Sequence, residues 1–300
     1  MNREALYGAL ETYLTALGKK DPGAIDWAPD PFITENNVRL EAGDGLWGTC
    51  QRLGDYRLRF ADETTRQVGY FGTVVEPLDE SAYTLRLGLD EAGRIAEVET
   101  VVVRQVDSSP KFENQRFYSK PVLEAAAEAP IPRAEMVALA DGYFSTLQLN
   151  DGTIRTKFHP DCNRVENGVQ TTNNPEFAKL VPVAGLGCEA QFRMGQYRYD
   201  DRLRARRYPL VDEARGLVMA FGFIDHCGRL DDYALTDGTR IRSPIRRPHS
   251  YYFGELFKID HGMIRQIEAN FITVPYHMPS PWMGDEERVC AVGGDVQKGR

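Results

Sequence analysis

The first half of the chain has no histidine, and the whole sequence of 300 residues has only five. All of them lie beyond residue 150: His159, His226, His249, His261 and His277. Histidine is the side chain whose ordinary pKa lies nearest neutral pH, so it is a common proton carrier in enzymes. The absence of histidine from the first half predicts that proton transfer takes place in the second half and that the first half is a degenerate partner.

Long apolar runs are missing, and cysteines are few. No run reaches the roughly 18 apolar residues of a membrane helix, and the segment that starts at Met1 lacks the features of a secretory signal. The five cysteines, an odd number without a Cys-x-x-Cys pair, are typical of reduced thiols. Cys188 is expected to be a small buried hydrophobic residue. We therefore expect a cytoplasmic protein that does not bind membranes.

Positive charge is also in deficit. The net charge is −8 and the isoelectric point is near 5.3, which argues against nucleic acid as a partner because phosphate binding needs a basic face. The one basic cluster, residues 240–247, is expected to be a solvated loop. Glycine-rich nucleotide motifs and Gly-x-Ser-x-Gly are absent, and His159, Asp161 and Cys162 are too compressed to face one metal ion. We expect neither cofactor nor metal.

An internal repeat organises the sequence. Two amphipathic segments, residues 3–18 and 133–148, carry apolar residues at the same helical spacing, 130 positions apart. The matching residues are Leu6, Leu10, Tyr13, Leu14 and Leu17 in the first segment, and Met136, Ala140, Tyr143, Phe144 and Leu147 in the second. Asp21 and Asp151 are predicted to end the two helices. The pattern predicts a tandem duplication of one small α+β unit.

Strand signals repeat in the same order. Residues 83–103 and 251–274 each predict an antiparallel hairpin, with turns at 90–93 and 260–262. The predicted organisation is a first domain at 1–106, a linker at 107–132, a second domain at 133–282 and a tail at 283–300. An insert at 227–248 interrupts the second domain. It is either a lid or an ordinary surface loop.

The helix motif Thr12 to Leu17, followed by Asp21 and by Ile33-Thr34-Glu35-Asn36, resembles the NTF2-like superfamily. The similarity is greatest to its SnoaL-like and ketosteroid-isomerase-like branches, and it extends over most of each half. The resemblance implies two cone-shaped α+β barrels in tandem, in each of which an antiparallel sheet wraps a helix around a ligand pocket. Fused units of this type imply an internal pseudo-dimer, with further homo-oligomers left open.

The resemblance also implies roles for particular residues. Tyr13 and Tyr143 match the helix tyrosine that donates a hydrogen bond to a substrate carbonyl. Asn36 and Asn167 match the isomerase base, but an amide cannot abstract a proton. These asparagines are therefore expected to line the pocket and hold a substrate oxygen, while the neighbouring glutamates point away.

A second isomerase acid matches Glu255, on a predicted strand whose alternation puts it on one face with Tyr251 and Phe253. A carboxyl among aromatic rings is expected to have a raised pKa, which suits an acid or base near neutral pH. The alternative is a solvated carboxylate. The aromatic content of the second half, which includes Phe223, predicts an apolar substrate.

His226 ends a nearly continuous apolar strand, so it is the leading candidate for proton transfer, although a strand-end capping role is the alternative. His159 and Asp161, expected on a loop at the pocket, are further candidates. The sequence thus predicts a cofactor-independent lyase or isomerase that acts on a small hydrophobic carbonyl or hydroxyl compound by isomerisation, dehydration, cyclisation or retro-aldol cleavage. The alternative is a non-catalytic binding or scaffold module.

Overall fold

The computed structural model describes residues 1–104 and 115–284. The first unit begins with helix α1 (Arg3–Lys19) and contains the short helix α2 (Leu46–Thr49). Its strands are β1 (Trp27–Glu35), β2 (Val38–Arg39), β3 (Arg52–Asp62), β4 (Gln67–Val75), β5 (Glu80–Leu89) and β6 (Ile95–Val103).

Helix α3 (Arg116–Glu124) precedes the second unit. The helices of that unit are α4 (Arg133–Leu149), α5 (Pro175–Ala178) and α6 (Cys188–Arg193). Its strands are β7 (Phe158–Glu166), β8 (Val169–Gln170), β9 (Arg202–Asp212), β10 (Leu217–His226), β11 (Asp232–Ala234), β12 (Arg240–Arg242), β13 (His249–Asp260) and β14 (Met263–Val274).

The two units have the same sheet topology. The first sheet has the order β2-β1-β6-β5-β4-β3, and the second has β8-β7-β14-β13-β10-β9. In each sheet the strand after the long helix pairs in parallel with the last strand of the unit, and the remaining neighbours are antiparallel. The predicted α+β class and tandem arrangement are confirmed. The sheets are mixed rather than wholly antiparallel, and they do not close into barrels, because β3 and β9 stay at an edge.

The long helices form where the apolar spacing predicted them. Asn2 caps α1 by accepting a hydrogen bond from the backbone N–H of Ala5 at 2.9 Å. Both helices end on a residue with left-handed backbone, Lys20 and Asn150. The helices therefore end two residues before Asp21 and Asp151, the positions that the sequence suggested.

Each sheet has an inner face, which its helix covers, and an outer face. Apolar residues of α1 and α4 pack on the inner faces and form one core in each unit. On β10, Val218 and Ala220 belong to the inner core, whereas Met219 and Phe221 belong to a third core. This alternation follows from the two-residue period of a strand.

The third core lies between the units. It joins Tyr56, Leu58 and Phe60 of β3 to outer-face residues of β10 and β13. The two outer faces therefore pack against each other, and the layers run helix, sheet, sheet, helix.

Buried polar groups also cross between the two outer faces. Glu99 on β6 accepts a hydrogen bond from Tyr252 at 2.6 Å and forms an ion pair with Arg207. Glu268 on β14 accepts a hydrogen bond from Tyr56 at 2.6 Å. Both carboxylates are fully buried, so separating the units would remove Tyr252 and Arg207 from Glu99, which would keep Arg86, and would remove Tyr56 from Glu268.

The structure also locates the predicted insert, the end of the second domain, and parts of the linker and tail. The insert 227–248 contains the hairpin of β11 and β12. The end of the predicted second domain returns to the first unit, where Trp282 Nε1 donates to Thr34 Oγ1 at 3.1 Å. Parts of the predicted linker 107–132 and tail 283–300 lie outside the described residues, and the exact domain boundaries stay predictions. Among the described residues, no helix is long and apolar enough to cross a membrane.

Candidate functional site

A buried histidine and a carboxylate form a dyad at one end of the second sheet. His226, the last residue of β10, is 1% exposed, and its Nε2 lies 2.9 Å from Asp200 Oδ1. The other ring nitrogen, Nδ1, is buried and has no hydrogen-bond partner among the described residues. With Nε2–H held by the carboxylate, Nδ1 carries the free lone pair. An imidazole oriented in this way can act as a general base.

Aromatic rings surround the dyad. His226 and His249 are register partners on β10 and β13, and their rings stack with centroids 4.7 Å apart. The ring of Tyr251 meets the His226 ring edge-on at 4.8 Å. Burial lowers the pKa of His249 and raises the pKa of Tyr251. Both groups are therefore neutral at pH 7, with the Tyr251 hydroxyl as a hydrogen-bond donor.

The insert connects His226 of the dyad to His249, whose ring stacks on that of His226. Its hairpin is fixed to the segment that follows α6: Tyr233 donates a hydrogen bond to the carbonyl of Gln196, and Thr236 N–H donates to Met194 O at 3.0 Å. The hairpin thus packs beside the segment that carries the dyad carboxylate. This position agrees with either a lid or a fixed wall.

Glu255 and Tyr143 form a separate polar pair deeper in the unit. Burial raises the pKa of Glu255 to about 8, and the charge of Glu166 adds to this effect. The raised pKa is the one that the aromatic strand predicted. Burial likewise raises the pKa of Tyr143, whose ring is enclosed by aromatic neighbours.

The strand register separates this pair from the dyad. Glu255 faces Ala220 on β10, six residues from the His226–His249 pair. At about 3.3 Å per residue, this separation is about 20 Å. The sequence grouped these residues in one mechanism, but a small substrate cannot touch both places.

Arg164 on β7 is a buried cation that the sequence analysis missed. It is 2% exposed and lies 3.2 Å from Glu166, and its guanidinium donates to Gln191 at 2.9 Å and to the Tyr197 hydroxyl. A lone arginine on a strand gives no signal in the sequence that it will be buried. The cluster holds α6 against β7 and so supports the segment that leads to Asp200.

The two asparagines assigned to the pocket have structural roles instead. Asn167 has a positive φ of 47° and exchanges two hydrogen bonds with the backbone of Phe271, at 2.9 and 3.1 Å. Asn36, with φ of 52°, makes the same pair of bonds with Val102, at 2.8 and 3.3 Å. The tight turn takes each asparagine out of the strand alternation. The expectation that they line a pocket is therefore wrong.

Other candidates lie away from the dyad. His159 is on strand β7 rather than on a loop, and the neighbouring Asp161 is exposed. Phe223 belongs to the core between the units, because its side chain is on the outer face. Phe253 is buried beneath α4, with its ring centroid 5.0 Å from that of Phe144.

In the first unit, Tyr13 lines a small cleft with a cavity volume of ≈ 20 Å³. Tyr83, Trp47 and Glu35 also line it. The glutamate thus points into this unit, while the neighbouring Asn36 belongs to the turn. The unit expected to be degenerate therefore contains a cavity.

A disulfide joins Cys162 on β7 to Cys188 at the start of α6, with 5.8 Å between the Cα atoms. The expectations of reduced thiols throughout, and of a plain hydrophobic role for Cys188, are therefore wrong. The cysteine count gave no sign of this pair, since the partners are 26 positions apart.

One group among the described residues has the side chains and spacing to hold a metal ion, namely Glu128, Asp260 and His261. Arg265 lies 3.7 Å from both carboxylates. Glu128 and His261 are exposed, and exposed acidic groups of this kind are common without a bound ion.

The comparisons with known proteins concern single units. A family model for a domain of unknown function (DUF8021) matches residues 130–271, within the second unit. The chain has no significant match among curated proteins.

Three similar solved structures each cover about a third of the chain. A designed protein with a curved β-sheet aligns with 34% of this chain over 88% of its own length, at 16% identity and a TM-score of 0.29. A cystatin-like protein of unknown function from Methylobium petroleophilum PM1 aligns with 38% of this chain over 86% of its own length, at 15% identity and a TM-score of 0.30. A "putative isomerase of the SnoaL-like family" from Agrobacterium tumefaciens str. C58 aligns with 34% of this chain over 99% of its own length, at 15% identity and a TM-score of 0.26. The repeated strand order within the chain itself establishes the tandem of two α+β units.

Proposed function

We propose that the chain is an enzyme that removes a proton next to a carbonyl or hydroxyl group of a small hydrophobic compound, with His226 as the base. The observation that carries this proposal is the buried Nδ1, which has no hydrogen-bond partner in the described part of the chain, on an imidazole whose other nitrogen is held by Asp200. An unsatisfied buried polar atom destabilises a fold by about 1–3 kcal/mol, so its retention favours a functional role.

The neighbouring groups fit the same reaction. As His226 Nδ1 takes the proton, the imidazolium is stabilised by Asp200. The Tyr251 hydroxyl is neutral, because burial raises its pKa, and it is the donor proposed for the oxygen on which negative charge develops. The protonated base then returns its proton to another atom of the substrate, which gives isomerisation or, where a leaving group departs, lyase chemistry.

A non-catalytic binding module is the second candidate. Aromatic side chains such as Phe144, Phe192 and Phe257 fill the space beneath α4, where the resemblance placed the ligand pocket. This packed core favours the second candidate. Such a module binds its ligand at the dyad without turnover.

The proposal extends to assembly and location. Because the outer faces of the fused units cover each other, we take the chain to be an internal dimer that needs no second copy for its site. The Cys162–Cys188 disulfide favours an oxidising compartment, in conflict with the cytoplasmic location that the cysteine count suggested.

Proton abstraction is measurable before the natural substrate is known. The assay follows exchange of α-hydrogens for deuterium by NMR, across a panel of cyclic ketones and hydroxyketones in D₂O. We expect the wild type to accelerate exchange for at least one compound, and His226→Gln to slow it by at least about a hundredfold.

A matched control is His261→Asn, which alters an exposed histidine in the β13–β14 turn and should retain the full rate. Binding of a panel compound at His226 without exchange would establish the binding module instead. Full exchange activity in His226→Gln would refute the assignment of the base.

A further inference from the structure

The cleft of the first unit has walls that differ from those of an ordinary apolar pocket. Tyr13 and Trp47 meet edge to face, with ring centroids 5.3 Å apart and an interplanar angle of 78°. Tyr83 lines the same cleft. Burial raises the pKa of Tyr13 and Tyr83, so both phenols are neutral. Neutral aromatic rings present electron-rich faces, which attract cations.

The charged groups of the cleft have one sign. Of the twelve described residues that line it, Glu35 and Asp44 are acidic and none is basic. Glu35 accepts the Leu46 N–H at 2.7 Å through one oxygen. Its other oxygen lies 3.3 Å from Arg104, whose guanidinium is shared with Glu76 at 2.9 Å. Glu35 thus accepts three hydrogen bonds and keeps one of the about four acceptor positions of a carboxylate.

Size selects among cations. A cavity volume of ≈ 20 Å³ admits about one water-sized group. A primary ammonium head is of that size, whereas a trimethylammonium head is larger. Leu40 and Leu46 also line the cleft, so they offer apolar contact to an alkyl chain.

We propose that this cleft binds the ammonium head of a primary alkylamine, held by the carboxylate of Glu35 and by the rings of Tyr13, Tyr83 and Trp47. The site lies in the first unit, outside the matched residues 130–271. It does not depend on the dyad of the second unit.

The probes are n-butylammonium, 1-butanol and butyltrimethylammonium, titrated against the full chain at pH 7 and followed by calorimetry. We expect butylammonium to bind at least tenfold more tightly than either the neutral or the trimethylated compound. Glu35→Gln, which retains an acceptor for the Leu46 N–H, and Asp44→Asn, at the exposed rim, should each weaken binding by at least threefold.

Glu91→Gln, in the exposed β5–β6 turn, is the matched control and should leave butylammonium affinity unchanged. His226→Gln should also leave it unchanged, which separates this site from the proposed reaction. Equal binding of 1-butanol and butylammonium, or unaltered affinity in both Glu35→Gln and Asp44→Asn, would overturn the proposal.

Discussion

Arg3 and Asp212 lie far apart in the sequence and form a two-pronged ion pair, with nitrogen–oxygen distances of 2.6 and 2.8 Å. Arg133 and Asp62 form the same pair with the units exchanged, at 2.7 and 2.8 Å. In each pair the first residue of a long helix reaches the last residue of the other unit's edge strand. Both aspartates are buried, so each unit supplies the countercharge of the other.

We expect Asp62→Ala and Asp212→Ala each to lower the free energy of unfolding by at least about 3 kcal/mol, because an arginine loses its partner and backbone N–H groups lose an acceptor. Urea unfolding of each variant measures the loss. Glu11→Ala, which removes an exposed pair with Arg59, is the control and should change little. Clearly unequal losses in the two variants would contradict the equivalence of the two pairs.

The dyad predicts a difference between its two members. Asp200→Asn should slow deuterium exchange by at least about tenfold, because the carboxylate no longer fixes the Nε2–H tautomer or stabilises the imidazolium. The slow rate should come with a changed tautomer of His226, which ¹⁵N NMR of the imidazole detects. An unchanged tautomer would show that Asp200 does not orient the ring.

Glu255 predicts a pH dependence of stability. Its pKa in the folded chain is about 8, against 4.5 for the free group, so the folded state holds a proton that the unfolded state has released. The free energy of unfolding should therefore fall by up to about 1.4 kcal/mol per pH unit as pH rises from 4.5 to 8.

Glu255→Gln should remove this component, and its advantage over the wild type should grow from pH 5 to pH 8 in urea titrations. Parallel pH curves for the two proteins would show that Glu255 is ionised in the folded chain.

The disulfide predicts a thiol count and a stability change. Unfolded without reductant, the chain should show three reactive thiols, since two of its five cysteines are paired. The double variant Cys162→Ser/Cys188→Ser should unfold with about 3 kcal/mol less free energy, given the 26-residue separation. Five reactive thiols in protein isolated without reductant would show that the disulfide is absent and would favour a reducing compartment.

The turn asparagines should affect stability and leave chemistry alone. Asn167→Ala should lower the free energy of unfolding by about 2–4 kcal/mol, through two lost hydrogen bonds and a left-handed backbone. Asn167→Gly retains the backbone freedom and isolates the hydrogen bonds, so its loss should be smaller. Both variants should keep the deuterium exchange rate per folded molecule, and a loss of rate would restore Asn167 to the site.

The sequence predicted those features that depend on local period. Helix faces, both late hairpins and the repeat follow from apolar spacing, and the structure confirms them. The strand period also contradicts one pair of predictions, which placed both His226 and Phe223 at the pocket. His226 and Phe223 are an odd number of positions apart on one strand, so their side chains point to opposite faces, and only one of them can face a pocket.

Features that depend on distant partners were not predictable. Asp200 is 26 positions before His226 and carries no motif, so its place beside the imidazole comes from the β9–β10 pairing and the segment before β9. The asparagine turn interrupts strand alternation because of a left-handed backbone, which the Glu-Asn pattern does not reveal. The parallel pairing of β1 with β6 depends on contacts about 65 residues apart.

The shared polar contacts between the outer faces have a consequence for cutting the chain. A fragment limited to residues 130–271 would expose the faces of Tyr252 and Glu268 to water, and Asn270 would lose the Thr84 hydroxyl that accepts its hydrogen bond at 2.7 Å. Such a fragment would be prone to associate with itself through the uncovered sheet. These contacts predict that the two repeats unfold in one cooperative transition and that neither is stable when it is expressed alone.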